Sequence, residues 1–182
     1  MKNIAIKSLT IVFAILLFAG CSCSLNDRKP EEAVKTFFEK YRSKDDNIIT
    51  QLKETIENET LSDDAKEKYQ NLMEKQYDSL SYVIKDIKED KDKAIATVEV
   101  TVLNYKSAIL KAEEELKNNP EKFNDDKGNF SDEKYMDYKI EKMQDVKDTV
   151  THTIDLSLTK KAGIWAVDEL SSDDISKIHG LY

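Results

Sequence analysis

The sequence predicts an α+β domain in which N-terminal helices pack on a curved antiparallel sheet of about four strands, with a helical insertion between the second and third strands. Apolar residues recur every three or four positions across the first part of the domain. They alternate with polar residues in two later segments, 94–102 and 150–158, which is typical of half-buried strands. Helices and strands that come in blocks favour the α+β class over the alternating α/β class.

Three helices are predicted to come first. Pro30 suits the first position of a helix, and its apolar stripe is Ala33, Val34, Phe37, Phe38 and Tyr41. A second apolar pattern follows Asp45, and a third follows Ser62, both of which are residue types that cap helices.

Two hairpins are predicted to form the sheet. The strand at 94–102 takes the segment 80–88 as its partner, across a polar turn at 89–92. The strand at 150–158 continues through a turn at 160–163 into a last strand at 164–169.

The predicted insertion, residues 106–146, lies between these hairpins. It contains a helix over 106–118, a polar loop over 121–130 and a second helix that Ser131 caps. A short closing helix near the end of the chain is expected to end at Gly180.

The front of the chain is typical of an export signal. Lys2 and Lys7 precede an apolar run over 9–20, and no acidic residue occurs before Asp27. Twelve helical residues cover about 18 Å, which is short of the ~30 Å hydrocarbon core of a membrane. We therefore expect residues 1–20 to be a signal peptide and not a membrane span.

The end of this run, Leu-Phe-Ala-Gly-Cys at 17–21, resembles the bacterial lipobox. The resemblance implies that Cys21 receives the lipid and that 21–29 is a lipidated tether before a single domain at 30–182. The expected location is the extracytoplasmic face of the cell membrane, where several acyl chains anchor stably. The alternative is an ordinary secretory signal with an incidental cysteine. If Cys21 carries the lipid, Cys23 is a linker residue or a second lipidation site.

Composition excludes several classes of protein. The 182 residues include 28 Lys and Arg against 36 Asp and Glu, for a formal net charge of −8, and two cysteines. Nucleic-acid binding is not expected, because phosphate contacts need clustered basic side chains. A disulfide framework and a multi-span membrane protein do not fit this composition either.

Three segments together resemble a known family. They are Pro-Glu-Glu-Ala-Val-Lys-Thr-Phe-Phe at 30–38, Val-Glu-Val-Thr-Val at 98–102 and Leu-Thr-Lys-Lys-Ala-Gly-Ile-Trp-Ala-Val-Asp at 158–168. The chain resembles, over about 30–170, bacterial lipoproteins of unknown function with a nuclear-transport-factor-like (cystatin-like, ketosteroid-isomerase-like) domain. The resemblance implies a curved sheet around a long helix, with a cone whose mouth holds a ligand or partner. It implies no particular activity.

Four residues are candidates for lining that cone. His152 lies on the apolar face of its strand, and Asn104 continues the apolar face of the 94–102 strand. We expect the two to meet at the mouth, where His152 could act as a general acid or base. Tyr82 or Tyr105 could donate a hydrogen bond to a ligand. The alternative interpretation makes His152 a core histidine satisfied by a neighbour, and no catalytic residue is assigned.

Metal and cofactor motifs are weak. The loop at 123–128 places Lys127 and Phe123 where a calcium loop needs acids. His152 and His179 are far apart in sequence, and no cysteine pair or glycine-rich phosphate loop accompanies them. We expect no metal and no cofactor.

The favoured function is therefore a non-catalytic, lipid-anchored binding module for a small ligand, a wall component or a protein partner. One alternative is a small hydrolase or isomerase that uses His152, although no buried carboxylate is assigned as its base. Another is a structural subunit that self-associates, as a homodimer, through the threonine-rich outer face of the sheet.

Overall fold

The predicted α+β class is confirmed. A computed structural model describes residues 29–59 and 61–182, so the signal peptide, Cys21 and Cys23 lie outside the described residues. The helices are α1 (Pro30–Arg42), α2 (Asp46–Glu57), α3 (Asp63–Ser79), α4 (Tyr105–Asn118), α5 (Asp132–Gln144) and α6 (Ser172–Ile178), and the strands are β1 (Ser81–Asp90), β2 (Lys93–Leu103), β3 (Thr149–Lys161) and β4 (Ile164–Val167).

Helix starts follow the predicted caps. Pro30 is the first residue of α1. Asp45 accepts a hydrogen bond from the backbone N–H of Asn47 at 3.0 Å, and Ser62 accepts one from Ala65 at 3.2 Å. The apolar stripe of α1 is buried and packs mainly on β4 and β1.

The sheet is antiparallel throughout, in the order β1-β2-β3-β4. Val98 at its centre lies opposite Ile84 on β1 and Ile154 on β3, so one face of the sheet forms the floor of the core. The register shifts between Ile84 and Asp86, which makes Lys85 the extra residue of a β-bulge in the outer strand.

Both hairpin turns are short. Ala162 and Gly163 have φ angles of 51° and 85°, as a type I′ turn requires. They lie within the turn predicted at 160–163, but Lys160 and Lys161 still pair with β4. The first turn contains only Lys91 and Asp92, not the four residues predicted, because Glu89 and Asp90 still pair with β2. The side chains of Glu89 and Asp90 are exposed, so their carboxylates remain solvated although both residues belong to the strand.

The insertion has a small core of its own. Ala112, Leu116, Phe123 and Tyr135 form a buried cluster separate from the main core. The rings of Phe123 and Tyr135 meet edge to face with centroids 5.2 Å apart. Tyr105 at the start of α4 and Met143 near the end of α5 belong instead to the main core.

Within the part of the chain that the structure describes, no helix is long and apolar enough to span a membrane.

Candidate functional site

His152 lies on the inner face of the sheet, opposite Val100. It is half-buried, and its ring meets the Tyr182 ring edge-on at 5.8 Å. Burial, with a smaller contribution from Lys177, lowers the pKa of His152, so the imidazole is neutral at neutral pH. Its Nε2 atom is buried and has no hydrogen-bond partner among the described residues.

Asn104 does not meet His152. The strand ends at Leu103, and the Asn104 side chain caps α4 by accepting a hydrogen bond from the Ser107 N–H at 3.2 Å. Its backbone N–H donates to the oxygen of Asp148, which immediately precedes β3 and lies four residues before His152. Four residues of strand span about 13 Å. The expected meeting is therefore wrong, because Asn104 belongs to a helix start and not to the sheet.

Tyr105 is a structural residue. It is fully buried, and its hydroxyl donates to the backbone oxygen of Leu72 at 2.9 Å. Burial raises its pKa above the usual range. Because its hydroxyl proton is already donated to Leu72 within the core, Tyr105 is not placed to donate a hydrogen bond to a ligand.

Tyr82 lies at the same level of the sheet as His152. Both residues pair with Val100, one from each side, and Val100 is completely buried between them. Two strand spacings separate them by about 10 Å. The Tyr82 ring stacks on Phe38 with centroids 4.4 Å apart and an interplanar angle of 20°. Burial raises the pKa of Tyr82, so its hydroxyl stays protonated at neutral pH.

A groove of about 480 Å³ runs between the exposed flank of α1 and β1. It is lined by Lys35, Thr36, Glu39, Lys40, Ser43 and Tyr82. Lys35 is paired with Glu31 at 2.8 Å and with Glu32 at 3.2 Å. The groove therefore offers hydroxyl groups and charged groups of both signs, with one aromatic ring at its edge. Of the four candidate residues, it contains only Tyr82.

Two buried polar residues were not predicted, and both are used inside the core. The Gln76 amide makes two hydrogen bonds to the backbone of Leu103, accepting from its N–H at 2.8 Å and donating to its oxygen at 3.2 Å. His179 lies 3.0 Å from the Tyr77 hydroxyl through Nε2, and burial lowers its pKa to about 4. These groups hold the end of β2 and the closing helix in place and are not presented to a ligand.

Helical spacing could have found both residues. Gln76 falls on the same face as Tyr69, Leu72 and Tyr77, and His179 follows Ile175 by four positions. Neither residue was predicted because the buried face of each helix was defined by apolar residues alone.

Lys139 is a third buried polar residue. Its side chain is only 5% exposed, and its Nζ atom lies 5.4 Å from the centroid of the Tyr135 ring. It forms no salt bridge in the described part of the chain. Burial lowers its pKa, and Lys106 adds to the effect, while Glu113 opposes it.

In the polar loop at 121–130, the Asp125 carboxylate forms hydrogen bonds with the backbone of the loop itself. Asp125 accepts hydrogen bonds from the backbone N–H groups of Lys127 at 2.9 Å and Asn129 at 2.8 Å. Residues 29–59 and 61–182 contain no group of three or more His, Cys, Asp or Glu side chains arranged to hold a metal ion.

The outer face of the sheet is polar and exposed. Thr101 and Thr151 share a hydrogen bond of 2.8 Å across β2 and β3, and Thr97 donates to Asp155 at 2.6 Å. These cross-strand pairs fix the surface side chains of the two central strands.

The chain was compared with known proteins at three levels. No protein family model, no curated protein and no solved structure matches it. Fold and site together define an α+β domain with a polar groove on its surface.

Proposed function

We propose that this chain is a lipid-anchored, extracytoplasmic binding module with no catalysis of its own, and that it belongs with the nuclear-transport-factor-like lipoproteins. The observation that carries the proposal is the groove beside Tyr82. Its lining comes from α1 and β1, two elements whose buried sides are fixed in the main core. A rigid support of this kind suits recognition of a ligand at the surface.

The geometry around His152 argues against the hydrolase or isomerase alternative. General acid–base chemistry on a carbonyl needs a second group, either a buried acid or a donor to the oxyanion. Asn104 caps a helix and Tyr105 donates to Leu72, so neither is available. Among the described residues, no carboxylate forms a hydrogen bond or an ion pair with His152.

The lining of the groove favours a hydroxyl-rich ligand. Thr36 and Ser43 can donate and accept hydrogen bonds, while Lys40 donates and Glu39 accepts. The Tyr82 ring gives an apolar edge on which a sugar ring can pack. A glycan strand of the cell wall has this chemistry, and a lipid-anchored protein outside the membrane would lie next to it.

Binding tests the groove. We would measure sedimentation of the full-length protein, in detergent, with purified wall glycan. The double substitution Lys40→Ala and Thr36→Ala should weaken binding about fivefold or more, since it removes polar contacts on one side of the groove. The control is Lys111→Ala with Lys117→Ala, two exposed lysines on α4. Equal binding by both variants and the parent would contradict this site.

A separate experiment tests the anchor. Replacing Cys21 with Ser should release the protein from the membrane fraction, because a lipid anchor depends on that thiol. Cys23→Ser is the matched control and should leave the protein membrane-bound. Release of neither variant, or of both, would contradict lipidation at Cys21.

A further inference from the structure

One edge of the sheet is open along part of its length. β4 pairs with β3 only from Leu158 to Lys161, and Asp168 adds one backbone hydrogen bond to the oxygen of Ser157 at 2.8 Å. Along residues 149–156 of β3, the side away from β2 has no strand beside it in the described part of the chain. The open stretch is about 26 Å long, at about 3.3 Å for each residue.

The backbone groups that face this open edge follow from the pairing of β3 with β2. Antiparallel strands direct the N–H and C=O of alternate residues to opposite sides. Asn104 donates to the oxygen of Asp148, so even-numbered residues of this segment bond to β2. The outward groups belong to the odd-numbered residues, which are exposed: Thr149, Thr151, Thr153 and Asp155. None of the four has a backbone hydrogen-bond partner on that side among the residues that the structure describes.

The two edges of the sheet differ in how they resist pairing. β1, at the opposite edge, has a bulge at Lys85 and a run of charged residues that continues to Asp90. Bulges and charges of this kind protect an edge strand from pairing with another strand. In residues 149–156 the only charged side chain is Asp155, and the register with β2 has no shift. The edge of β3 is therefore open to an added strand.

The far end of the open edge limits what can pair with it. Asp168 lies beside Ser157, so an added strand that continues past Leu156 would meet the chain's own backbone. Two copies of β3 paired about a two-fold axis at Thr153 meet this obstacle, because Thr149 of each copy would lie beside Ser157 of the other. The edge instead suits one extended segment of about eight residues.

The charges around the open edge favour a basic occupant. Asp155 lies within the open stretch, Asp148 precedes it, and Asp168 lies at its far end. None of these three carboxylates forms a salt bridge in the described part of the chain. Lys147 is the only lysine or arginine in residues 145–159. Basic side chains on an added segment would compensate these acidic charges.

We propose that this edge is the docking site for an extended basic segment of a partner protein, which joins the sheet as a fifth strand antiparallel to β3. Two backbone hydrogen bonds form at each of the outward residues, about eight in all. A lysine or arginine opposite Asp155 lies on the same face of the sheet and pairs with its carboxylate.

The inner face of the sheet favours apolar side chains at alternate positions of the partner. Val150 and His152 are half-buried at this edge, and Ile154 is buried. The partner residues opposite these three positions place their side chains on the same inner face. The recognised segment therefore alternates apolar and polar residues and has a basic residue near each end. This site goes beyond the groove, which lies beside Tyr82 at the other edge of the sheet.

A synthetic strand tests the site. The probe is the peptide acetyl-Lys-Val-Thr-Val-Thr-Val-Lys-amide with N-methyl groups on its valines, which face away from β3 and stop the peptide from pairing with itself. Fluorescence anisotropy would measure its binding to the full-length protein in detergent. Moving the methyl groups to the threonines removes N–H groups that face β3 and should weaken binding at least tenfold. No binding of the first peptide, or equal binding of both, would overturn the proposal.

Proline substitutions identify the edge that binds. Thr153→Pro removes an outward N–H and spares the bonds to β2, so it should weaken probe binding at least tenfold with the same circular dichroism. The control, Glu89→Pro, places proline on the opposite edge and should bind the probe as the parent does. Loss of binding in the control, or unchanged binding in Thr153→Pro, would overturn the proposal.

A charge reversal tests the site without proline. Asp155→Lys should weaken binding of the probe about tenfold at low salt, because it repels the terminal lysine of the peptide. The groove substitutions Lys40→Ala and Thr36→Ala should leave probe binding unchanged, so this result is independent of the groove. Unchanged affinity in Asp155→Lys would overturn the proposed register.

Hydrogen exchange detects any other occupant of the edge. The backbone N–H groups of Thr151 and Thr153 should exchange rapidly in the free full-length protein and at least tenfold more slowly with the probe bound. Slow exchange in the absence of the probe would assign the edge to a second copy or to another segment of this chain, and would overturn the proposal.

Discussion

The hydroxyl of Tyr77 and the Nε2 atom of His179 lie 3.0 Å apart, and both residues are completely buried. The Tyr41 ring packs edge-on against both of them. The imidazole is neutral in this environment because burial opposes its charged form. This contact joins α3 to the segment that follows the closing helix.

Acid should therefore destabilise the domain through His179. The pKa of His179 is about 4 in the folded chain and about 6.5 when exposed to water, so the unfolded state binds more protons between these values. The contribution of His179 to the free energy of unfolding is fully present above pH 6.5. It falls by about 3 kcal/mol as the pH drops to 4. Urea unfolding at several pH values measures this loss.

Two variants test whether His179 causes this pH dependence of stability. His179→Leu should flatten the curve between pH 6.5 and 4 and should lower stability at pH 7, because the Tyr77 hydroxyl loses its partner. His152→Gln should keep most of the slope, since His152 is only half-buried. An unchanged slope in His179→Leu would contradict the assignment.

Gly180 should tolerate no side chain. Its φ angle is 70°, and a Cβ atom there would overlap the Leu103 oxygen and the Gln76 amide nitrogen. Gly180→Ala should therefore cost about 3 kcal/mol or more in the free energy of unfolding, as strain and as broken hydrogen bonds. Chemical denaturation would give the value.

Gly128 is the matched control for that substitution. It also has a positive φ, 79°, but nothing lies within 4 Å of an added Cβ. Gly128→Ala should cost only about 1 kcal/mol, the strain of the backbone alone. Similar losses in the two variants would mean that close packing at Gly180 contributes nothing.

Lys139→Met should stabilise the domain. The lysine is buried beside Tyr135 without a salt bridge in the described residues, so its ammonium group loses hydration and is compensated only by the charge of Glu113 and by the Tyr135 ring. Methionine fills similar volume without a charge and should raise stability by about 1 kcal/mol. Thermal unfolding would detect a higher midpoint. Lys142→Met, at a more exposed site over the Tyr138 ring, should change little, and a loss of stability in Lys139→Met would contradict this interpretation.

Tyr105→Phe should lower stability by about 1 kcal/mol, because the buried hydrogen bond from its hydroxyl to the Leu72 oxygen is lost. Tyr82→Phe should be nearly neutral for folding, since the ring still stacks on Phe38. Denaturant midpoints of the two variants measure this contrast. Equal losses would contradict the separation of a core tyrosine from a groove tyrosine.

Much of the fold could be predicted from the sequence because its signals are local. The buried face of α1 follows from the spacing of Phe37, Phe38 and Tyr41, and the start of α3 follows from Ser62. Alternation predicts β3, and the polar segment 160–163 predicts the turn that Ala162 and Gly163 form. Each of these features depends on a few neighbouring residues.

The candidate site depended on longer-range geometry and was predicted less well. Asn104 continues the alternation of β2, but the strand ends one residue earlier, at Leu103, so the expected contact of Asn104 with His152 does not form. The groove requires the flank of α1 to lie beside Tyr82, a relation that no single segment encodes. The burial of Gln76 was not predicted, because a polar side chain can lie on a buried face when backbone groups form hydrogen bonds with it.

The separate aromatic core of the insertion implies two levels of cooperativity in one domain. Tyr105 and Met143 tie the base of α4 and α5 to the main core, while Phe123 and Tyr135 hold only the far end together. Amide protons near the far end should therefore exchange through a partial opening that leaves the sheet intact. Substitutions, insertions and deletions at the far end of α4 and α5 should therefore have little effect on the stability of the main core.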